Sequence, residues 1–266
     1  MKPLVIYHAN CTDGFGVAFA AWLKLGDSAE YLPMEYGKNF LTTYVGGTIN
    51  REIYILDFSL PREQMDWLFQ HAKRVVWLDH HKTAFEMWCG GIPDCGWFHS
   101  SPDNEATMFN KGPANGYITL DNNKSGAMLA WEYFHPGTEV PMLIKHIDDR
   151  DRWQFKLKGS KEFHAALASY KPWTFEQWWS FLAWEDFRQE GEAILRAHNQ
   201  SVQMCLKQAR KCAIRWDWKE VCGTVGYREA VGHSANAPSF LASDLGHELA
   251  NKSGTFGLVW SMAGDG

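Results

Sequence analysis

Apolar residues in the first third of the chain fall into short unbroken runs, and each run stops at residues of metal-binding type. "PLVIY" leads into His8, "REIYIL" into Asp57, and "RVVWL" into Asp79, His80 and His81. Such β-branched and aromatic runs, bounded by polar residues, predict strands buried in a sheet. The stretches between them follow a helical period instead. "GFGVAFAAWLKLG" spaces small and apolar residues as a helix does, and "LPREQMDWLFQHAKR" sets Pro61 where a first turn accepts it. Strand alternating with helix predicts an α/β fold, with a parallel sheet and helices on both faces.

Further along, the pattern changes. Residues 86–124, with scattered Gly, Pro and Asn, read as a loop-rich excursion. "KSGAMLAWEYF" resumes as a helix with Ser125 as its N-cap, and "VPMLIKHIDDRDRW" begins apolar and ends in Asp148, Asp149 and Asp151. In "YKPWTFEQWWSFLAWEDF", Thr174 and Gln177 form a capping box. The Trp173, Trp178, Trp179 and Trp184 cluster there reads first as a packed core or interdomain face, and second as a platform for stacking bases. A long polar helix from about 184 to 211 is suited to joining two domains. After it, "TVGYREAVGH" and "TFGLVWSM" read as strands around a helix in "SFLASDLGHELAN". The expected division is a catalytic domain over 1–184, a linker helix over 185–212, and a smaller α/β domain over 213–266. "AGDG" reads as a hairpin turn with no returning strand after it, so this second domain is expected to be incomplete. Its last strand would then leave an edge open to a homodimer partner.

Composition narrows the function. With 45% apolar and 21% charged residues among 266, the chain reads as a globular enzyme. A net charge of −5 fits small phosphorylated substrates or short oligonucleotides better than long duplexes, whose binding takes many basic side chains. An acidic protein can still hold phosphate where metal ions supply the positive charge. No apolar run approaches the roughly 20 residues that cross a bilayer, and the first residues do not read as a secretory leader. Six cysteines without C-x-x-C spacing read as reduced thiols, and the expected location is cytoplasmic, with no membrane partner.

In parallel sheets, ligands gather at the carboxyl ends of strands, where His8, Asp13, Asp57, Asp79, His80 and His81 are all expected. Carboxylates and imidazoles together suit manganese and related divalent ions. A carboxylate shared by two ions about 4 Å apart is the arrangement of phosphoryl hydrolysis. The bland alternative, in which single Asp and His residues cap turns, accommodates one strand end more easily than three in a row. A second grouping, Cys89, Cys95 and His99, sketches a zinc site with irregular spacing.

These residues resemble a known family. "YHANCTDGFG", "YILDFSL", "LDHHKTA" and "IDDRDRW", in that order across residues 5–153, resemble the four core motifs of the DHH phosphoesterase superfamily. Its members include RecJ-type exonucleases, nanoRNases, cyclic-dinucleotide phosphodiesterases and family II pyrophosphatases. "GHSANAPSFLASDLGHELA" resembles the opening of the DHH-associated domain. The resemblance implies that Asp57 bridges two divalent ions, manganese first, with magnesium, cobalt or zinc as alternatives. It implies that Asp13 and His80 ligate one ion with an aspartate of the fourth motif, Asp149 preferred over Asp151. His8 would ligate the other, His81 would face the scissile phosphate, and Asp79 would orient the His80 ring. Lys82 and Arg150 or Arg152 could hold a phosphate oxygen, and Asn236 and Ser239 fall where the associated domain would meet substrate. The first motif departs from H-x-x-x-D-x-D: Cys11 stands where a carboxylate is usual, and His8 is one residue nearer. Either the thiolate ligates, favouring zinc, iron or cobalt, or Cys11 is a bystander and Asn10 or water fills its place.

The function expected from this resemblance is hydrolysis of phosphodiester or phosphomonoester bonds through a two-metal-activated water. Short oligonucleotides, dinucleotides or nucleoside bisphosphates are the expected substrates. An inorganic pyro- or polyphosphatase, and a catalytically silent nucleotide-binding protein on the same fold, are the alternatives.

Overall fold

The computed structural model describes residues 1–37, 40, 44, 47–89, 115–183, 188–219 and 225–261. Five parallel strands form the central sheet: β1 (Leu4–His8), β2 (Glu30–Met34), β3 (Glu52–Leu56), β4 (Arg74–Asp79) and β5 (Gly116–Leu120). Their order is β2-β1-β3-β4-β5, so the three strands with ligand-type ends are neighbours in the middle. Leu4 to Tyr7 pair with Ile53 to Leu56, and Glu52 to Leu56 pair with Arg74 to Leu78. This register brings His8, Asp57 and Asp79 to one edge.

Both faces of the sheet are covered, as the unbroken apolar strands require. Val5, Tyr7, Tyr54, Leu56, Val76 and Leu78 point to one side. There they pack on helices α1 (Thr12–Leu25), α4 (Gly126–Phe134), α5 (Met142–Asp151), α6 (Ser160–Ser169) and α7 (Phe175–Phe181). Leu4, Ile6, Ile53, Ile55, Val75 and Trp77 point to the other, against α2 (Arg62–His71) and the start of α3 (Lys82–Cys89). Thr174 caps α7 by accepting from the Gln177 N–H. Trp178 is fully buried between Phe15, Phe19 and Trp173, which makes it core, while Trp179 is exposed.

Two strands correct the expectation. β2 lies in a stretch with no strand expected, and β5 lies inside the excursion read as loop. Residues 90–114 of that excursion, with Cys95 and His99, lie outside the described residues, as do Trp184 and the "AGDG" turn.

The chain divides into two compact units, Met1–Gly191 and Glu192–Gly266. The border falls within α8 (Arg188–Lys207), the helix expected as a linker. The second unit has β6 (Arg210–Lys219) antiparallel to β7 (Val225–Asn236), and β8 (Gly257–Trp260) parallel to β7. Helix α9 (Ala242–Ser253) makes the crossover that a parallel pair needs, and Val202, Ala235, Leu241, Leu245 and Leu249 fill the core beneath it. Strand β8 lies at the edge of this sheet among the described residues. No helix among the described residues is long and apolar enough to cross a membrane.

Candidate metal centre

Asp57 follows β3 in a left-handed conformation, φ 52°, while its N–H still donates to the Leu78 carbonyl. Asp tolerates this region better than most residues, and the turn aims its carboxylate at the strand ends. Asp13 enters from the first turn of α1. Its carboxylate accepts the N–H groups of Gly126 and Ala127, at 2.7 and 2.8 Å, at the positive N-terminus of α4. Two glycines permit this approach. A methyl group at Gly126 would lie 2.6 Å from the Asp57 Cβ, and one at Gly14 would collide with the His8 carbonyl.

His80 Nε2 stands at the centre, 3.1 Å from Asp57 Oδ1, 3.5 Å from Asp13 Oδ2 and 3.6 Å from Asp151 Oδ2. His8 Nδ1 lies 3.8 Å from Asp57 Oδ2 on the other side. Three groups of ligand atoms could each hold a metal ion: His8, Cys11 and Asp57; Asp57, His80 and His81; and Asp13, His80 and Asp151. Within each group the atoms lie no more than 4.8 Å apart.

The electrostatics are those of a site built for a cation. Asp13, Asp57 and Asp79 are all buried, and Asp57 Oδ2 is shut off from solvent without a hydrogen-bond partner. An unpaired buried carboxylate oxygen is costly, and a metal ion is the partner this donor set fits. Burial, and then the charge of Asp13, push the Asp57 carboxyl well above the usual carboxylate range. Burial and Asp13 likewise raise Asp151 to about 7, against the pull of His80 and His81. Burial works to lower His80, but the Asp57 hydrogen bond and the surrounding carboxylates outweigh it and raise it to about 10. Burial, Asp57 and Asp13 push the Cys11 thiol up. Without a metal, protons stand in for the missing positive charge.

Several expectations are corrected here. Asp149, preferred as the ligand, lies off the cluster: its oxygens accept the Lys156 and Leu157 N–H groups at 2.8 and 3.1 Å. Asp148 and Asp151, three residues apart on α5, share a face, and Asp149 is turned about 100° from Asp148. Asp151 joins the cluster, and Asp148 accepts the Ser125 N–H at 2.7 Å. Asp79 does not fix the His80 ring. Its Oδ1 accepts the His80 main-chain N–H at 2.7 Å and pairs with His81 Nδ1 at 2.7 Å, while Oδ2 accepts the Ser59 hydroxyl. Burial alone would raise Asp79, but the hydrogen bonds from His81 and Ser59 hold it below the usual range.

The expected substrate-binding residues have other engagements. Lys82 is exposed and pairs with Glu86 at 3.5 Å. Arg150 stacks over Trp153 at 4.1 Å, and Arg152 pairs with Asp148 at 3.5 Å. Asn236 Nδ2 donates to the Trp260 carbonyl, tying β7 to β8 in the second unit, and Ser239 begins a 3-10 turn there. Ser59 and Gly126 were not singled out in the sequence. The signals were present in "LDFS", a hydroxyl two residues past the aspartate, and in "KSGA", a glycine just after a cap.

No protein-family model matches the chain. Over 286 aligned positions, taking in 98% of its length, the chain is 27% identical to an uncharacterised protein of Acanthamoeba polyphaga mimivirus. It spans 58% of the length of that viral protein.

Proposed function

We propose that this chain is a metal-dependent phosphoesterase acting on small phosphorylated substrates or short oligonucleotides. The observation that carries the reading is the buried Asp57 carboxylate, unpaired at Oδ2 and shared between ligand groups on either side. His8 and Cys11 stand with it on one side; His80, joined by Asp13 and Asp151, stands on the other. A donor set divided in this way supports two ions, and its mix of carboxylate and imidazole supports manganese first. The order of motifs resembling the DHH superfamily points the same way.

Divalent ions held by these groups would lower the pKa of a water and neutralise charge on the phosphoryl oxygens. The protein's own groups do the rest. Asp57, Asp13 and Asp151 supply the negative charge that keeps cations in the site. Asp79 fixes the His81 ring by accepting from Nδ1, which leaves Nε2 to hold a proton and pass it to the leaving oxygen. The Asp79 hydrogen bond and charge raise the His81 pKa against the effect of burial, so the ring keeps that proton more readily. Asp13, fastened to the start of α4, keeps the cluster in register with the helix layer.

The test is turnover of bis(p-nitrophenyl) phosphate, pyrophosphate and two- to five-nucleotide RNA and DNA by metal-stripped protein reloaded with manganese. Hydrolysis is expected only with metal and is expected to vanish in Asp57→Ala. Absence of turnover with manganese, magnesium, cobalt and zinc alike, or activity that survives Asp57→Ala, would sink the proposal.

A further inference from the structure

Only Ala9 and Asn10 stand between His8 and Cys11, the two residues that share a ligand group with Asp57. Cys11 is the N-cap of α1, yet its side chain caps nothing there. Asn10 makes the turn at φ 62°, in the left-handed region. Asn enters that region more readily than most residues, but the conformation persists best where neighbours fix it. Two contacts from distant parts of the chain do so. Asn10 Nδ2 donates to Glu35 Oε1 at 2.9 Å, just beyond β2. From the loop before α7, Lys171 Nζ donates to the Asn10 carbonyl at 2.8 Å. Lys171 is itself aimed. Its ammonium lies 4.6 Å over the Trp173 ring, and Trp173 is fastened by donating to the Leu167 carbonyl at 2.9 Å. That ring packs on Phe15 of α1, 5.6 Å away, and on the buried Trp178.

We infer that Lys171 is a positioning residue of the metal centre, holding the Asn10 carbonyl so that the turn presents His8 and Cys11 to one cation. The inference rests on the metal-dependent reading and adds to it a residue that lies in none of the four motifs. The Asn10 carbonyl belongs to the planar peptide unit that joins Asn10 to Cys11, so a donor on that oxygen sets the direction in which Cys11 leaves the turn. The units before it are fixed by other means. His8 is held in β1, and the Ala9 N–H donates to the Met34 carbonyl at 2.8 Å. The Asn10–Cys11 peptide is the one that Lys171 takes. An electrostatic role for Lys171 has the opposite sign. An ammonium near a cation site repels the cation, so losing it through charge alone would strengthen metal binding. Losing a positioning contact weakens it.

The test is titration of metal-stripped protein with cobalt, read in two ways. The sulfur-to-cobalt absorption band reports the side of His8 and Cys11, and calorimetry reports every bound ion. Lys171→Met is expected to raise the cobalt concentration that half-develops the band by about tenfold, the low end for groups that orient a metal ligand, because Lys171 is exposed. Binding at the remaining ligands, and the melting temperature in chelator, are expected to stay unchanged. Lys171→Arg, which keeps both a donor and the charge, is expected to restore most of the loss. Unchanged or tighter cobalt binding by Lys171→Met overturns the positioning role and leaves the phosphoesterase reading standing. So does an equal loss at every bound ion, a melting temperature that falls in step, or a loss that Lys171→Arg does not lessen. A band absent from the unaltered protein overturns it too, since Cys11 then holds no metal. Failure of the unaltered protein to bind cobalt at all overturns both readings.

Discussion

His81 Nδ1 and Asp79 Oδ1 lie 2.7 Å apart, and the carboxylate that makes this contact is fully buried at the end of β4. The same oxygen accepts the main-chain N–H groups of His80 and His81, so one carboxylate sets the turn and the ring together. The consequence is a histidine whose tautomer is fixed without contact to Asp13 or Asp151.

Asp79→Asn is therefore expected to spare metal binding and impair proton transfer. An amide of the same shape can still accept the backbone N–H groups, but it lacks the charge that holds a proton on His81. Turnover is expected to fall on the order of 10²-fold or more, with the alkaline limb of the pH–rate profile, which reports loss of the His81 proton, displaced to lower pH. Metal content, measured on the same preparation, should be unchanged. An equal loss of metal would mean that Asp79 holds the cluster together and does not act through His81.

Asp151 and Asp149 should separate cleanly. Asp151 lies 3.6 Å from His80, whereas Asp149 accepts two main-chain N–H groups just beyond α5. Asp151→Asn is expected to weaken metal affinity by at least about tenfold while leaving the metal-free protein at least as stable, since the amide removes a charge that burial and Asp13 disfavour. Asp149→Asn is expected to do the reverse, costing roughly 1.5–3 kcal/mol of stability while leaving metal affinity near normal. Titrations of metal into each variant, with thermal melts in chelator, read both effects.

The middle of the sheet was legible in the sequence and its edges were not. β1, β3 and β4 are covered on both faces, so their residues form continuous apolar runs. At the edges, β2 carries Pro33 and buries only Met34 of its five residues, and β5 buries only its last three. Such strands are specified by pairing with β1 and β4, which a local pattern does not contain. The site followed the same division. Residues of ligand type placed by strand ends, such as His8, Asp57 and His80, could be located from the runs before them. The choice between Asp149 and Asp151 depended on knowing that "IDDRD" is helical and which face turns inward.

Stability of the metal-free protein is expected to fall as pH rises from about 7 to about 9. The fold raises Asp151 to about 7 and His80 to about 10. A raised group contributes stability below its unfolded pKa, about 3.9 for Asp and 6.5 for His, and loses it as pH climbs through the folded value. His8 is lowered, first by burial, and acts in the opposite sense, but only below about pH 6.5. Above that, His80 and His81 carry the fall, because Asp151, raised only to about 7, has lost most of its contribution by that pH. Bound metal replaces the protons, so the gain in melting temperature on adding manganese should be larger at pH 8.5 than at pH 6.5. Melts across this range, with and without chelator, check the sign; a gain that shrinks with pH would show that the cluster does not exchange protons for metal.

Cys11 and Asp57 offer the last contrast. Cys11 belongs to one ligand group, with His8 and Asp57, whereas Asp57 belongs to two. Asp57→Ala is thus expected to abolish activity, and Cys11→Ala to leave a measurable fraction. The thiol is raised first by burial and then by Asp57 and Asp13, so in the metal-free protein it stays protonated. A cation entering between His8 and Asp57 reverses that balance, because a coordinating thiol gives up its proton outright. Cobalt loading should then produce a near-ultraviolet thiolate-to-cobalt charge-transfer band that Cys11→Ser lacks. Cys11→Asp should shift preference from cobalt and zinc toward manganese, since a hard carboxylate replaces a soft sulfur. If cobalt binds with no such band while activity survives Cys11→Ala undiminished, the sulfur is not a ligand, and the His8 side of the cluster draws its remaining donors from elsewhere.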